Sequence, residues 1–294
     1  MQIMFSPTDL VNIKQTSKLC LNAIHQYGGI CIKYINEHLK SAMICELCVK
    51  SYGKALKYVP KKYHNVKILS AALNKNPYAV KYITKVNNDI ADLVIDLDPL
   101  CLQFINNQTE ELCEKAIKLC PLSFYYVKNK TKKLCETAIS LCPLLISIIV
   151  DQTTELCIQA VLNQPVSLAF INNKTDAICK MAINKNSNVI RYINNPSENI
   201  LTYAVQCNPL CMKYIPKSKQ TNKLCNMAVI INGRSIKYIK SPSKTICKLA
   251  INQEPRCITY IKNPSIQMIR QSVQLWPEML TLECNQIKEM LSLI

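Results

Sequence analysis

Residues 109–120 carry apolar side chains at 112, 113, 116, 117 and 120, one stripe of a 3.6-residue period, which predicts a helix of about eleven residues. Thr109 stands in front of it, a residue whose side-chain oxygen can accept from the free amides of a helix's first turn, and Glu110 and Glu111 fill that first turn. Pro121 then ends the stripe and is suited to open a second, short helix, because a first helical position has no use for an amide hydrogen. The second run closes on an aromatic-aliphatic pair in most copies (Tyr82-Ile83, Phe104-Ile105, Tyr192-Ile193, Tyr260-Ile261), and a polar linker leads to the next cap.

The same wording returns at 131–152 and 153–174, and extending its register recovers twelve units. A small residue, usually alanine, falls at 23, 48, 72, 94, 116, 138, 160, 182, 204, 228, 250 and 272. Three residues earlier stands a cysteine in eight copies, and five residues later a proline, or glycine in three copies and Ser187 in one. The landmarks leave free the residues four before the cysteine slot. These are Thr16, Ser41, Asn65, Asn87, Thr109, Thr131, Thr153, Thr175, Ser197, Thr221, Ser243 and Ser265, every one a capping type. The expectation is an all-α solenoid, a single domain over residues 1–294 of twelve stacked helix-turn-helix repeats of about 22 residues. One such unit cannot bury its apolar face alone, so stability must come from its neighbours. Leucine-rich repeats share the period and stack asparagines, as Asn106, Asn172 and Asn194 suggest; the proline opening and the helix caps argue against their extended strand.

The pattern T-x-x-x-C-x-x-A-I-x-x-x-P/G-x-x-L-x-Y-I, closest at 50–59 and 229–239, resembles a short-helix repeat family of the mimivirus-like giant DNA viruses of amoebae. The resemblance covers nearly the whole chain and implies the repeat fold; it carries no activity, ligand or cofactor.

Composition adds exclusions. Only 4 glycines in 294 residues disfavour phosphate loops, and no nucleophile-base constellation or nucleotide-binding motif is found, so no catalytic residue, metal or cofactor is expected. Cys45-x-x-Cys48 with His38 nearby suggests zinc; both cysteines also fill repeat slots facing the stack, and that reading is preferred. The 17 cysteines recur at fixed slots. Equivalent slots in stacked units lie ~10 Å apart, beyond the ~7 Å limit between the α-carbons of a disulfide, so buried free thiols are expected. The apolar stretch over residues 144–150 is far short of the ~20 residues a membrane span requires, and the first fifteen residues lack the layout of a secretory signal. A soluble protein of the host cell cytoplasm, virus factory or virion is expected.

Charge is the remaining clue. The net charge is +17, with 13 basic and 3 acidic residues over 1–86, 6 and 10 over 87–160, and 13 and 4 over 209–294. The slot before the aromatic holds Lys33, Lys57 and Lys81 in units one to three and Arg191, Lys213 and Lys237 in units eight to ten. Stacking should turn each trio into a row. The favoured function is a non-enzymatic scaffold offering an extended surface to a protein partner; the alternative is sequence-independent binding of nucleic acid or another polyanion by these six residues, with the adjacent tyrosines available for stacking if exposed.

Overall fold

The computed structural model describes residues 6–281 together with 289 and 292. Among them run twelve α-helices: α1 (Ser17–Tyr27), α2 (Ala42–Ser51), α3 (Val66–Lys75), α4 (Asn88–Leu97), α5 (Glu110–Leu119), α6 (Lys132–Leu141), α7 (Thr154–Asn163), α8 (Asp176–Lys185), α9 (Glu198–Cys207), α10 (Asn222–Ile231), α11 (Lys244–Gln253) and α12 (Ile266–Leu275). Each is followed by a short helix with the tighter 3-10 winding, Pro99–Phe104 and Pro121–Tyr126 for example. No strand occurs among the described residues, so the chain is an all-α helical-repeat solenoid and not a leucine-rich repeat.

All twelve capping residues act as the pattern required. The side chain of Thr109 accepts from the amide of Leu112, that of Asn65 from Ile68 and that of Ser243 from Ile246, with equivalent bonds in the other nine units. Most α-helices are one residue shorter than the stripe suggested. Leu112, Cys113, Ala116 and Ile117 are buried, whereas Cys120 has left the helix and is half-buried at its C-cap.

The second helix is 3-10 for a local reason. The C-cap residue is extended, and where it is Asn76, Asp98, Asn186, Asn208 or Asn232 its side chain accepts from the amide two residues on, which starts a tight turn across the breaker. Six-residue 3-10 segments are long for this winding, and most are held by packing against the segments on both sides, Pro99–Phe104 and Pro209–Tyr214 among them.

The chain divides into two compact units, Met1–Leu145 and Ile146–Ile294. In each, every α-helix packs on the next α-helix and most of the 3-10 segments that follow them pack on the next such segment, giving two layers that pack on one another. The core lies between the layers. From α5 it takes Leu112, Cys113, Ala116 and Ile117, and from the following 3-10 segment Ser123, Phe124 and Val127. The small slot is fully buried in each of the twelve helices, including its variants Cys48, Val94 and Ser272.

The departures from 22 residues have a structural cause. Units one, two and nine carry an additional 3-10 turn in the linker: Glu37–Leu39, Lys61–Tyr63 and Lys217–Lys219. Two of the three glycines in the proline slot, Gly53 and Gly233, leave no room for a Cβ beside the next helix. A Cβ on Gly53 would meet the carbonyl oxygen of Ala72 at 2.5 Å, and Gly28 adopts a φ of 74°, which an L side chain disfavours.

Candidate interaction surfaces

The six residues singled out by spacing are all exposed, on 3-10 segments that pack side by side within units one to three and again within units eight to ten. Each lies over a tyrosine ring: Lys33 over Tyr34 at 5.2 Å, Lys57 over Tyr58 at 5.6 Å, Lys81 over Tyr82 at 5.1 Å and Lys213 over Tyr214 at 5.4 Å. In the second half the contact also crosses between units. Arg191 sits 5.5 Å from Tyr192 and 4.2 Å from Tyr214, and Lys237 sits 5.9 Å from Tyr238 and 5.3 Å from Tyr260. These tyrosines other than Tyr260 are half-buried with a ring face taken by a cation, so they are poor platforms for a nucleic-acid base. The stacking role that the sequence suggested for them is not offered by this geometry.

Cations on the α-helical layer behave differently. Lys115 bonds Asp96 at 2.8 Å and Asp92 at 3.3 Å, both on the preceding helix. Glu114 receives Lys118 and Lys133, whose hydrogen bonds push its carboxyl down to about 2, and Lys50 and Lys67 lower Glu46 in the same way. Among the described residues no carboxylate lies within ion-pair distance of the six row cations. Their charge is left for solvent or for a ligand.

Two further surfaces escaped the sequence reading. One is a groove of about 720 Å³ in the second half whose walls bring Lys217, Lys240 and Lys262 to Lys213 and Lys237. Its signal was present in the pattern: Lys240 and Lys262 share the position two after the aromatic in consecutive units. The other is a ladder of leucines at the last helical position of α4, α5 and α6. Leu97, Leu119 and Leu141 are 39%, 55% and 49% exposed, and Leu122 at the next corner is 54% exposed. Counting every apolar residue as core hid it.

The linker also contains a staple that the sequence showed only as a polar residue. The side chain of Gln108 donates to the carbonyls of Leu102 and of Tyr126 in the next unit, and accepts from the amide of Lys128. Gln15, Gln152 and Gln220 repeat this bridge, and the buried Lys40 reaches the carbonyl of Tyr58 from the same position.

The sixteen described cysteines are free, and all but Cys120, Cys142 and Cys207 are buried. Burial pushes the thiols of Cys48, Cys101, Cys211 and Cys257 up to about 12 and those of Cys31 and Cys45 to about 11, away from the thiolate that nucleophilic attack or metal ligation needs. Cys45 and Cys48 point into the stack as the repeat demanded, and no group of three side chains suited to a metal ion occurs among the described residues. Nor is any described helix long and apolar enough to cross a membrane.

The fold defines a helical-repeat protein of the all-α class. No family model, no curated protein and no solved structure matches the chain.

Proposed function

We propose that this protein is a non-enzymatic repeat scaffold that holds another protein against its surface, in the cytoplasm or virus factory of a cell infected by a giant DNA virus. The observation that supports this reading is the exposed leucine ladder, Leu97, Leu119, Leu141 and Leu122, on three consecutive units. The same helix-end position holds Ser51, Lys75, Asn163, Lys185 and Gln253 in five other units and Tyr27, Cys207, Ile231 and Leu275 in the remaining four, so the repeat fold does not require leucine there, and three consecutive leucines occur only in units four to six. Contiguous exposed apolar groups mark interaction sites. Residues 87–160 carry 10 acidic and 6 basic side chains, so the partner suited to this surface presents apolar side chains within a basic surround. A photo-crosslinker at position 122, in the cells that make the protein, should yield a discrete adduct that is lost in L119K/L141K and absent from the same crosslinker at position 54. A crosslinking pattern identical at the two positions would defeat the reading.

A second reading, sequence-independent binding of nucleic acid or another polyanion, draws support from the six row cations, exposed and unpaired with carboxylates among the described residues. Its test is retention on heparin: replacement of all six by glutamate should release the protein at much lower salt, and unchanged elution would reject it.

A further inference from the structure

The geometry points to a site for the phosphodiester backbone of a single nucleic-acid strand in the groove of units nine to eleven. This inference rests on the polyanion reading of the rows and goes beyond it by making the two trios unequal and adding three residues.

The groove of about 720 Å³ is lined by five lysines and no carboxylate. Two of them, Lys213 and Lys237, belong to the row before the aromatic; Lys240 and Lys262 form a second row two positions after it. Lys217 comes from the additional 3-10 turn Lys217–Lys219, so the two residues by which unit nine exceeds its neighbours deliver a cation to the site. Tyr238 and Tyr260 lie between the rows, and Tyr260 is the exposed member.

Five like charges converging on a concave wall raise the local potential, and a low-dielectric floor of Ile236, Ile239 and Ile261 focuses it. An anion relieves that repulsion. A lone phosphate would engage only part of two rows that run over consecutive units; a linear chain of phosphates follows them. A duplex carries its phosphates on a cylinder too wide for a cavity of the size that holds a small ligand, whereas a single strand enters it. The exposed face of Tyr260 then offers one base a stacking surface without sequence preference.

The test is fluorescence anisotropy of the full chain with a fluorescein-labelled U15 RNA across salt. With five lysines engaged, the log–log salt slope should be about −3.5, or roughly a 100-fold loss from 50 to 200 mM. The K237E/K240E/K262E variant should bring that slope to about −1.4, while K33E/K57E/K81E leaves it unchanged. Equal losses in both variants would overturn the groove assignment and leave the row reading standing; no binding by the native chain at 50 mM would overturn both. A duplex bound as tightly as the strand, or inorganic polyphosphate competing equally at matched charge, would overturn the single-strand assignment. Circular dichroism checks each fold, and the lysine-to-glutamine triple replaces the reversal if that variant unfolds.

Discussion

Residues 87–145 and residues 187–262 build the same unit from the same slots, yet differ in the charges they present. Both cap their α-helices through Asn, Ser or Thr, bury a small residue at mid-helix, and close on a 3-10 segment. In the first region each α-helix ends on an exposed leucine, Leu122 adds another at a corner, and the α-layer cations are tied to carboxylates of the same or the preceding helix. In the second, the position before the aromatic holds Arg191, Lys213 and Lys237 over tyrosine rings, without carboxylate partners among the described residues. The backbone is therefore specified by few positions per unit, and the remainder are open to binding chemistry.

If the shared slots carry the fold, breaking equivalent ones should hurt both regions alike. The largest effect is expected from Phe124→Ala and Met212→Ala, both fully buried on 3-10 segments, each costing about 3–5 kcal/mol or somewhat less for methionine, measured by urea unfolding. A gap of several kcal/mol between them would show that the regions are not held by the same contacts.

Alkaline pH should act on both regions as well. The thiols of Cys101 and Cys211 ionise at about 12 in the folded chain against an ordinary value of 9.0, because burial disfavours the thiolate. A raised folded value means that this stabilisation is complete below pH 9 and is lost as pH climbs from 9 through 12. The urea midpoint should fall across that window, and C101A and C211A should each flatten the fall. Thr109→Ala and Thr221→Ala should each cost about 1 kcal/mol in the same assay, since each removes a cap bond to a leucine amide.

An effect of similar size and opposite sign is expected at Ser123 and Ser235, one in each region. Both are fully buried, and their hydroxyls find no hydrogen-bond partner among the described residues. Ser123→Ala and Ser235→Ala should raise stability by about 1 kcal/mol, read as a rise of a few degrees in Tm. Smallest of all, Leu119→Lys should move stability by less than about 0.5 kcal/mol while abolishing the crosslink described above. A large destabilisation would make Leu119 part of the fold and remove the distinction between the two exteriors.

The caps, the small slot and the breaker were legible in the sequence because each answers a local backbone demand that recurs in every copy. The winding of the second helix was not: Pro99 or Pro121 suits the first turn of either helix type, and the choice is made by an extended C-cap such as Asp98 and by stacking on the next unit. The six row cations could be lined up from the sequence because stacking maps a shared slot onto a shared surface. Lys217 was out of reach, since it enters the groove through a turn that exists only in a lengthened linker. The glutamine staple was equally hidden, because Gln108 in a linker reads as solvent-facing until the carbonyl of Tyr126 is placed opposite it.

That staple has an evolutionary consequence. Gln15, Gln108, Gln152 and Gln220 each reach forward to the backbone of the following repeat, and never depend on the identity of its side chains. A tandem duplication or loss of one 22-residue segment beside a stapled linker therefore leaves that junction able to form, since any repeat presents the same carbonyl and amide to the one before it. Copy number becomes a heritable variable that selection can adjust in whole steps, with a newly inserted repeat free to acquire its own surface before it has any task.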